Sequence, residues 1–385
     1  MKGVRVIDMT SVLSGPFCTW LLSTLGADVI KVESPGGDSA RGTPPFKEEV
    51  SLYFASLNRN KRSLALDLKT EDGKAALHKL LASADVLIEN MRPGVRDRLG
   101  CSDSDLKRIN PALVVASISG FGQDGSLANR PAYDIVVQAM SGMMSINGPL
   151  DGEPTRVGFS VGDIAAGLFA AVGILERLYR RDAQNESTID KLDVSMLACQ
   201  WACMENAYAR YLNAGIVAKP LGSRHPSATP FEVYPTADRD IVIAIGGAHD
   251  WFRLCGALNL ESLAHDERFF EDSVRIAHRD SLYELLSDRL RQESSDHWIR
   301  QLTDVSIPCS RIENVETVAN SEMVEEYLAF SEVEAAQHGS MRFVRSPVAN
   351  PNHRETAAPK LGEHNHEILG ELGYSAEQIT ERFTP

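Results

Sequence analysis

Apolar and polar positions alternate in a regular rhythm along the first third of the chain. Short apolar runs predict strands, and two stretches between them follow the 3.6-residue period of a helix. The helix FCTWLLSTLG begins beside Pro16 and ends at Gly26, positions that each residue favours. The predicted strands are VRVIDM, ADVIKVE, SLALDL, ADVLIEN and ALVVASIS, and the second helix is TEDGKAALHKLLAS. Strands that alternate with helices indicate an α/β domain with a parallel, doubly wound sheet.

The pattern changes beyond the middle of the chain. A long helix is predicted from Ile164 to about Arg181, and its basic end suits the negative pole of a helix. A second apolar helix is predicted over about Val194 to Leu212. The segment KPLGSRHPSATPFEVYPT, with four prolines, predicts a linker. The strand DIVIAIGG and the helices RDSLYELLSDRL and SSDHWIRQLT then predict a smaller α+β domain, followed by a loop-rich tail with a strand at MRFVRSPV and a helix from Asn365.

Composition and charge narrow the function classes. With 385 residues, two domains are the first expectation, and 43% apolar and 24% charged residues are typical of a globular protein. The net charge of -14 argues against nucleic acid, whose phosphates demand a basic face, although a few Arg and Lys in a cleft can still bind a phosphate-bearing small molecule. The six cysteines form no C-x-x-C pair, which predicts buried free thiols.

Nothing in the sequence predicts a membrane segment. The N-terminus MKGVRVIDMT lacks the apolar run of a signal peptide, and the longest apolar stretch, IAAGLFAAVGIL, has 12 residues. We therefore expect a cytoplasmic protein that does not bind membranes.

One literal motif is set aside. GFGQDG, from Gly120 to Gly125, matches the dinucleotide fingerprint G-x-G-x-x-G and follows a predicted strand. The fingerprint also requires a helix that begins at once, because the helix N-terminus holds the pyrophosphate. Here SLANRPAY follows instead, so we expect no NAD site.

A candidate nucleophile stands at the start of the long helix. Asp163 follows Gly162 directly in VGDIAAGLFAAVGILERL. One interpretation is a helix N-cap, in which the carboxylate accepts hydrogen bonds from free backbone N–H groups. The other is a catalytic carboxylate, kept ionised by the positive helix end and therefore able to attack.

Basic and amide side chains cluster near the ends of predicted strands. In open α/β sheets, ligands lie at the carboxyl ends of the strands, and Arg binds phosphate oxygens in two-point contacts. A cluster of solvated surface residues is the alternative for each group taken alone. The clusters are Arg41 in VESPGGDSAR, Asn60, Lys61 and Arg62 in NRNKRSLALD, and Asn90, Arg92, Arg96 and Arg98 in IENMRPGVRDRLG.

Taken in order, these motifs resemble one enzyme family. GPFCTWLLSTLGADVIKVESPGGDSAR, NKRSLALDLK, ENMRPGVRDRLG, the VGD that ends at Asp163, and KLGEHNHEIL are similar to class III CoA-transferases. This family includes formyl-CoA transferase, carnitine CoA-transferase and the α-methylacyl-CoA racemases. The motifs span nearly the whole chain.

The resemblance implies a fold and a domain division. Members have a large Rossmann-like domain and a small domain joined by two linkers, and two chains form an interlocked homodimer. For this chain we expect residues 1–195 to form the first part of the large CoA-binding domain and 196–224 a helix and linker. Residues 225–325 are then the small α+β domain, and 326–385 the second linker and the return to the large domain.

The resemblance also implies a mechanism. Asp163 is expected to attack a donor acyl-CoA, pass through a mixed anhydride and an aspartyl-CoA thioester, and transfer CoA to an acceptor carboxylate. Coenzyme A is thus a co-substrate, acyl-CoA and small carboxylic acids are the partners, and no metal is expected. The positions that match CoA contacts are Arg41, Lys61, Asn90 and Arg98, with Arg62 as a weaker candidate. Gly246 and Gly247, in IGGAHDW, match a glycine-rich lid, although a strand-ending turn is the alternative.

Two other functions stay open at this point. The family's racemases carry a G-H-D triplet whose His and Asp move an α-proton, whereas this chain has Ala132, Tyr133 and Asp134. Tyr, with an ordinary pKa near 10, is a poor base at neutral pH, so a transferase is favoured. Tyr133 is then either a hydrogen-bond donor to substrate or a packed aromatic. A non-catalytic acyl-CoA binding protein would not need Asp163.

The acids themselves are not named by the sequence. Arg156, seven residues before Asp163, and Arg224, in the predicted linker, are both candidates to bind the second carboxylate of a dicarboxylate. Succinyl-CoA or another dicarboxylyl-CoA is accordingly a candidate donor. His225, also in the linker, is expected to be structural.

Overall fold

The computed structural model describes residues 1–184, 191–327, 329–335, 339–349 and 354–383. The chain divides into two compact units. Unit 1 comprises Met1–Met143, Arg156–Ile216 and Glu325–Pro385, and unit 2 comprises Met144–Thr155 and Val217–Val324. The domain boundaries given above stay a prediction; Met144–Thr155, which they assign to the large domain, clusters here with unit 2.

Unit 1 is built on a six-stranded parallel sheet, which confirms the predicted sheet type. The strands follow the order β5-β2-β1-β6-β7-β8, so the connection reverses direction between β1 and β6. This reversal is the topological switch point of a doubly wound sheet, where ligands bind at the carboxyl ends of the strands. The six strands of this sheet are β1 (Arg5–Met9), β2 (Asp28–Glu33), β5 (Lys61–Ala65), β6 (Val86–Glu89), β7 (Val114–Ser119) and β8 (Leu192–Ser195). The short strands β3 (Phe46–Lys47) and β4 (Val50–Ser51) form a separate pair.

Helices cover both faces of this sheet. Successive side chains of each strand point to opposite faces and therefore pack against different helices. Val6 packs into one core with the first helix and the longest helix of the chain, whereas Ile7 packs into a second core that includes the C-terminal helices. The helices of this part of the chain are α1 (Ser14–Thr24), α2 (Leu52–Asn58), α3 (Glu71–Ala82), α4 (Val95–Arg98), α5 (Asp103–Ile109), α6 (Asp134–Met140), α7 (Met143–Ile146), α8 (Val161–Ala183), α9 (Met196–Cys203) and α10 (Glu205–Ala214), with a 3-10 turn at Ser39–Gly42.

The long helix α8 crosses α1 at close range. A side chain at Gly167 would place its first carbon 2.8 Å from the carbonyl oxygen of Ser14, so only glycine permits this approach. The crossing matters for function, because it brings the start of α1 against the first turns of α8.

The predicted helix over Val194 to Leu212 is wrong in part. Val194 belongs to the edge strand β8, which pairs with β7, and the helical part breaks at Met204 into α9 and α10. The strand LDVS has four residues and is followed directly by a helix. Its apolar residues continue the helical pattern, so the strand cannot be distinguished from the helix in the sequence.

Unit 2 contains a three-stranded antiparallel sheet in the order β11-β10-β9. The central strand was predicted, whereas the two flanking strands, FEVY and CSR, were not. Trp251 and Trp298 are fully buried in the core that the helices form against this sheet. The elements are β9 (Phe231–Tyr234), β10 (Ile241–Ala244), α11 (Ala248–Ala257), α12 (Glu261–Ala264), α13 (Asp272–Ala277), α14 (Arg279–Leu290), α15 (Ser295–Asp304), β11 (Cys309–Arg311), α16 (Val315–Ala319) and α17 (Glu322–Glu326).

The C-terminal segment lies in unit 1. It forms the hairpin of β12 (Phe330–Ala335) and β13 (Gly339–Val344), followed by α18 (Asn365–Glu371) and α19 (Ala376–Phe383). Asn365 links α18 to the edge strand, because its side-chain oxygen accepts a hydrogen bond of 2.8 Å from the backbone N–H of Ala65. All six cysteines are free thiols, and four of them are buried.

Candidate active site

The site begins at the switch point of the sheet. Asn90, just past the end of β6, bridges to the loop that follows β1. Its side-chain oxygen accepts a hydrogen bond from Ser11 N at 2.9 Å, and its amide nitrogen donates to Ser11 O at 2.8 Å. The same nitrogen lies 3.5 Å from Ser14 Oγ, at the start of α1. Asn90 therefore holds the two loops of the switch point together.

A buried ion pair holds the same loop from the other side. Lys31 Nζ lies 2.9 Å from Asp38 Oδ2 and donates to Thr10 O at 2.8 Å, while Asp38 Oδ1 accepts from Val12 N at 3.2 Å. Val12 has a φ of 67°, a conformation that a β-branched residue rarely adopts. Such strain persists only where the surroundings fix the backbone. This pair could not be predicted from the sequence, because its partners come from different elements.

Asp163 lies in the first turn of α8, next to this loop. Ser160 occupies the N-cap position, so Asp163 is the third helical residue and not the cap. Burial raises the pKa of Asp163 to about 7, the negative charge of Asp134 adds to this rise, and the Ser14 hydroxyl, as a hydrogen-bond donor, opposes it. At neutral pH the carboxyl group is therefore divided between its protonated and ionised forms.

Asp134 is the second carboxylate of the site, and sequence reasoning did not select it. Its Oδ1 accepts from Gly162 N at 2.8 Å, and its Oδ2 accepts from the buried Gln138 Nε2 at 2.6 Å. A side chain at Gly162 would place its first carbon 2.2 Å from Gln200 Nε2 and 2.9 Å from Asp134 Oδ1. The glycine of the VGD motif thus lets Asp134 bond the backbone beside the nucleophile. The available signal was the position of Asp134 in the Ala-Tyr-Asp triplet.

Two tyrosines lie near these carboxylates. Tyr133 precedes α6 directly and is 77% exposed, so it is not a packed aromatic, and its hydroxyl is open to a ligand. Tyr53, on α2, was missed by the sequence analysis. Burial raises the pKa of Tyr53 to about 12, and the charges of Asp163 and Asp38 add to this effect. The Tyr53 hydroxyl accordingly stays protonated, within electrostatic range of Asp163.

Arg156 is placed beside Asp134. One guanidinium nitrogen, Nη2, lies 3.9 Å from Asp134 Oδ2, and the side chain is 44% exposed. The backbone next to Arg156 is fixed, because Val157 N donates to Gln138 Oε1 at 2.9 Å.

Three of the predicted CoA contacts are engaged within the protein. Arg41 binds both carboxylate oxygens of Glu33 at 2.7 Å. Arg62 lies near the amino end of β5 and binds Asp28 as well as two carboxylates of α18. Lys61 is fully buried, and its ammonium contacts Asp8, Asn58 and a backbone carbonyl. Their contacts to CoA stay predictions, and each would require these internal bonds to be exchanged.

The burial of Lys61 changes the pKa of its ammonium group. Burial lowers the pKa of Lys61 to about 8, even though the Asp8 carboxylate 3.0 Å away stabilises the charge. A surface lysine poised for a phosphate would instead expose its ammonium. Within the described structure, Lys61 serves to neutralise Asp8 beneath α1.

Other cations remain exposed at the carboxyl side of the sheet. Arg98, at the end of α4, and Arg92, in the loop after β6, are both exposed and form no ion pair within the described residues. Lys69, which follows β5, is also exposed, and the sequence analysis did not select it. Within the described residues these three cations are exposed and lack the carboxylate partners that Arg41, Lys61 and Arg62 have.

An additional groove of about 400 Å³ lies beside Arg41. The guanidinium of Arg41 stacks on Phe54 with 3.9 Å to the ring centroid. Val333, Met341 and Leu361, from the C-terminal segment, supply part of the apolar lining.

Unit 2 holds the remaining predicted residues. Gly246 and Gly247 form the turn between β10 and α11, and Gly247 has a φ of 145°, which only glycine adopts without strain. Arg224 is held by Glu232 at 2.9 Å and Asp280 at 2.8 Å. His225 packs on Phe231, with ring centroids 4.8 Å apart. A lid role for the two glycines stays a prediction.

The GFGQDG segment is irregular, as its sequence context predicted. After β7, the next helix in the described chain is α6, which begins at Asp134. In the part of the chain that is described, no cluster of three or more His, Cys, Asp or Glu side chains is arranged to bind a metal. Across those same residues, no helix has the length and apolar character needed to cross a membrane.

Comparisons with known proteins agree with this architecture. A family model described as CoA-transferase family III matches residues 1–365. Acetyl-CoA:oxalate CoA-transferase of Acetobacter aceti is 42% identical over 320 residues, which cover 83% of this chain and 82% of that protein. Succinate–glutarate CoA-transferase of Agrobacterium fabrum is 35% identical over 396 residues, covering 100% and 98%. The crystal structure of a CAIB/BAIF family protein from Brucella suis has a TM-score of 0.84 at 33% identity, covering 96% and 98%.

Proposed function

Because the chain belongs to CoA-transferase family III, and so transfers CoA between acyl-CoA thioesters and carboxylates, we propose that the transfer proceeds through an aspartyl-CoA thioester on Asp163. The observation that carries the proposal is the position of Asp163. Its carboxyl group lies at a helix start, beside the switch point, where the Ser14 hydroxyl donates a hydrogen bond to it and the protonated Tyr53 lies within electrostatic range.

The proposed reaction is a double displacement. The Asp163 carboxylate attacks the donor thioester carbonyl, and CoA thiolate leaves as a mixed anhydride forms. The thiolate then attacks the aspartyl carbonyl of that anhydride, which releases the donor acid and gives aspartyl-CoA. The acceptor carboxylate attacks this thioester and expels the thiolate again. The thiolate attacks the acceptor's carbonyl in the second anhydride, and this frees the new acyl-CoA and the Asp163 carboxylate.

Two features support this role for Asp163. Attack requires the ionised form, and a pKa of about 7 keeps a large fraction ionised at neutral pH while making the carboxylate a better nucleophile than an ordinary aspartate. Asp134 contributes to this pKa and also fixes Gly162, so that it sets both the charge and the position of the nucleophile.

For CoA itself, we propose that Asn90, Arg98, Arg92 and Lys69 face its phosphates and adenosine. Arg98, Arg92 and Lys69 are exposed, and Asn90 is half-buried and bonded to Ser11, at the carboxyl side of the sheet, where doubly wound folds bind their ligands. Arg41 and Lys61, which match the family's motifs, support this site from within through their bonds to Glu33 and Asp8, whereas Arg62 is bound to Asp28 near the amino ends of the strands.

We also propose that the enzyme is a homodimer. Leu168, Val172 and Tyr179 form an exposed apolar stripe along α8, with exposed fractions of 47%, 64% and 63%. The spacing of four and seven residues puts them on one helix face. Trp201 and Leu212, on the following helices, are exposed as well. Such a surface is typical of an interface, and the interlocked arrangement of the family supplies a partner of the same chain.

Intact-protein mass spectrometry tests the covalent step. The enzyme is mixed with a panel of acyl-CoA donors that includes acetyl-CoA and succinyl-CoA, with and without hydroxylamine. A hydroxylamine-sensitive CoA adduct that maps to Asp163 is expected. Asp163→Asn should form no adduct, whereas the exposed control Asp304→Asn, in unit 2, should form it at the wild-type rate. An adduct on another residue, or none with any donor that supports turnover, would refute the proposal.

A further inference from the structure

Arg156 faces a carboxylate without forming a close ion pair to it. Arg41, Arg62 and Arg224 each bind carboxylates at 2.7–2.9 Å. Arg156 approaches Asp134 only to 3.9 Å and donates no hydrogen bond within the described residues. A guanidinium has five N–H donors in a planar fork, so Arg156 retains its capacity for a two-point contact.

The backbone beside Arg156 is nevertheless held in place by hydrogen bonds. Gln138 is fully buried and connects two groups: Nε2 donates to Asp134 at 2.6 Å, and Oε1 accepts from Val157 N at 2.9 Å. The backbone that carries Arg156 is thereby tied to the carboxylate nearest to the nucleophile. The chain is fixed, and the guanidinium at its end remains 44% exposed.

The negative charge of the site indicates a role for Arg156. When the acceptor attacks, Asp163 is held as a neutral thioester, so the incoming carboxylate meets the negative charge of Asp134. A second carboxylate on the acceptor would add to this repulsion unless a cation received it. Arg156 is the cation that contacts Asp134, and the other candidate from the sequence, Arg224, is already bound by two carboxylates within unit 2.

We infer that Arg156 binds the distal carboxylate of a dicarboxylic acid in the acceptor position and so determines the substrate class of the enzyme. The inference rests on the proposed CoA transfer through Asp163 and specifies its acceptor. The guanidinium fork gives a bidentate contact that a monocarboxylate of the same length cannot make. A site built to bind a polar group rejects the analogue that lacks it. The oxalate and glutarate in the names of two relatives are dicarboxylates, consistent with this class.

Chain-matched acceptors test the inference in the full-length enzyme. Acetyl-CoA serves as donor because it carries no second carboxylate, and kcat/KM is measured for succinate against butyrate and for glutarate against valerate. Succinyl-CoA replaces acetyl-CoA if transfer from acetyl-CoA is undetectable, and the same ratios are measured. The wild type should prefer the dicarboxylates. Arg156→Gln should lower their kcat/KM by about 10- to 100-fold, mainly through KM, and change the monocarboxylates by less than about threefold.

Two further variants separate specificity from charge balance. Arg156→Lys keeps the charge but loses the fork, so it should recover part of the dicarboxylate activity. Arg108→Gln removes an equal charge from a distant surface site, where the arginine is 70% exposed, and should leave both ratios unchanged. Added guanidinium ion should restore dicarboxylate turnover in Arg156→Ala and leave monocarboxylate turnover as it is.

The outcomes distinguish this inference from the proposed mechanism. Equal losses for the two acid classes, or a wild-type preference for monocarboxylates, would overturn the role of Arg156. The hydroxylamine-sensitive adduct formed with donor alone reports on Asp163 and should persist in Arg156→Gln. A wild type that forms no adduct but loses its dicarboxylate preference on Arg156→Gln would refute the aspartyl thioester and leave the acceptor site standing.

Discussion

Replacing the nucleophile should make the protein more stable in alkaline solution. In the fold, the pKa of Asp163 rises from its ordinary value of 3.8 to about 7, chiefly because of burial. The folded state thus binds the proton more tightly than the unfolded chain. The stability associated with this proton is fully present below about pH 4 and is lost as the pH rises through 7. Asp163→Asn has no charge to ionise and should avoid this loss.

The size of the effect follows from the same values. A rise from 3.8 to about 7 corresponds to about 4 kcal/mol, since one pKa unit is about 1.4 kcal/mol. Asp163 is only partly buried, so solvent screening reduces this ceiling, and we expect about 2 kcal/mol. For a chain of this length, that free energy corresponds to about 2–4 °C in the melting temperature.

Differential scanning calorimetry at a single scan rate measures this difference between pH 4.5 and pH 8.5. The melting temperature of Asp163→Asn should exceed that of the wild type by more at pH 8.5 than at pH 4.5, and the exposed control Asp97→Asn should show no such trend. Other titrating groups cancel in the comparison, because both proteins contain them. A difference that stays constant with pH, or one that is larger in acid, would show that burial does not destabilise the Asp163 carboxylate.

Three further predictions concern the same region. Asp134→Asn removes a negative charge that raises the pKa of Asp163, so the acid limb of the adduct-formation rate should move by about one pH unit toward lower pH; a limb that does not move would contradict this coupling. Gly162→Ala places a methyl carbon 2.2 Å from a buried amide nitrogen and should cost at least about 2 kcal/mol by chemical denaturation, whereas Gly158→Ala meets open space and should be neutral. Val172→Lys, on the exposed stripe of α8, should shift sedimentation from dimer to monomer, and a wild type that sediments as a monomer would exclude the interface.

Much of the sheet could be predicted from the sequence, because its strands are short apolar runs buried on both faces. VRVIDM, ADVIKVE, ADVLIEN and ALVVASIS correspond to β1, β2, β6 and β7 within a few residues. The helix α8 followed from its periodicity, and the transferase class followed from the ordered motifs and is confirmed by the family match and the relatives. The edge strand β8 could not be recognised, because four residues that lead directly into a helix carry no separate period.

The site was only partly predictable, because charged side chains pair with partners that are far away in the sequence. The sequence identified Asp163 and Asn90 by their positions at a helix start and a strand end. It could not show that Asp134, 29 residues earlier, lies beside Asp163. It placed Lys61 and Arg62 among the ligand contacts, yet the structure pairs them with Asp8 and Asp28.

Apolar periodicity is a local property, and the chain alone therefore determines which segments become strands and helices. The partner of a charged side chain depends on distances of 3–4 Å between elements far apart in the chain, and only the packed sheet fixes those distances. The guanidinium of Arg156, 3.9 Å from its nearest carboxylate, and that of Arg224, bound at 2.9 Å, differ for this reason, although both were equal candidates in the sequence. The tertiary structure decides which charges remain available to a substrate, because folding pairs some of them, such as Lys61 and Arg62, with carboxylates of the protein.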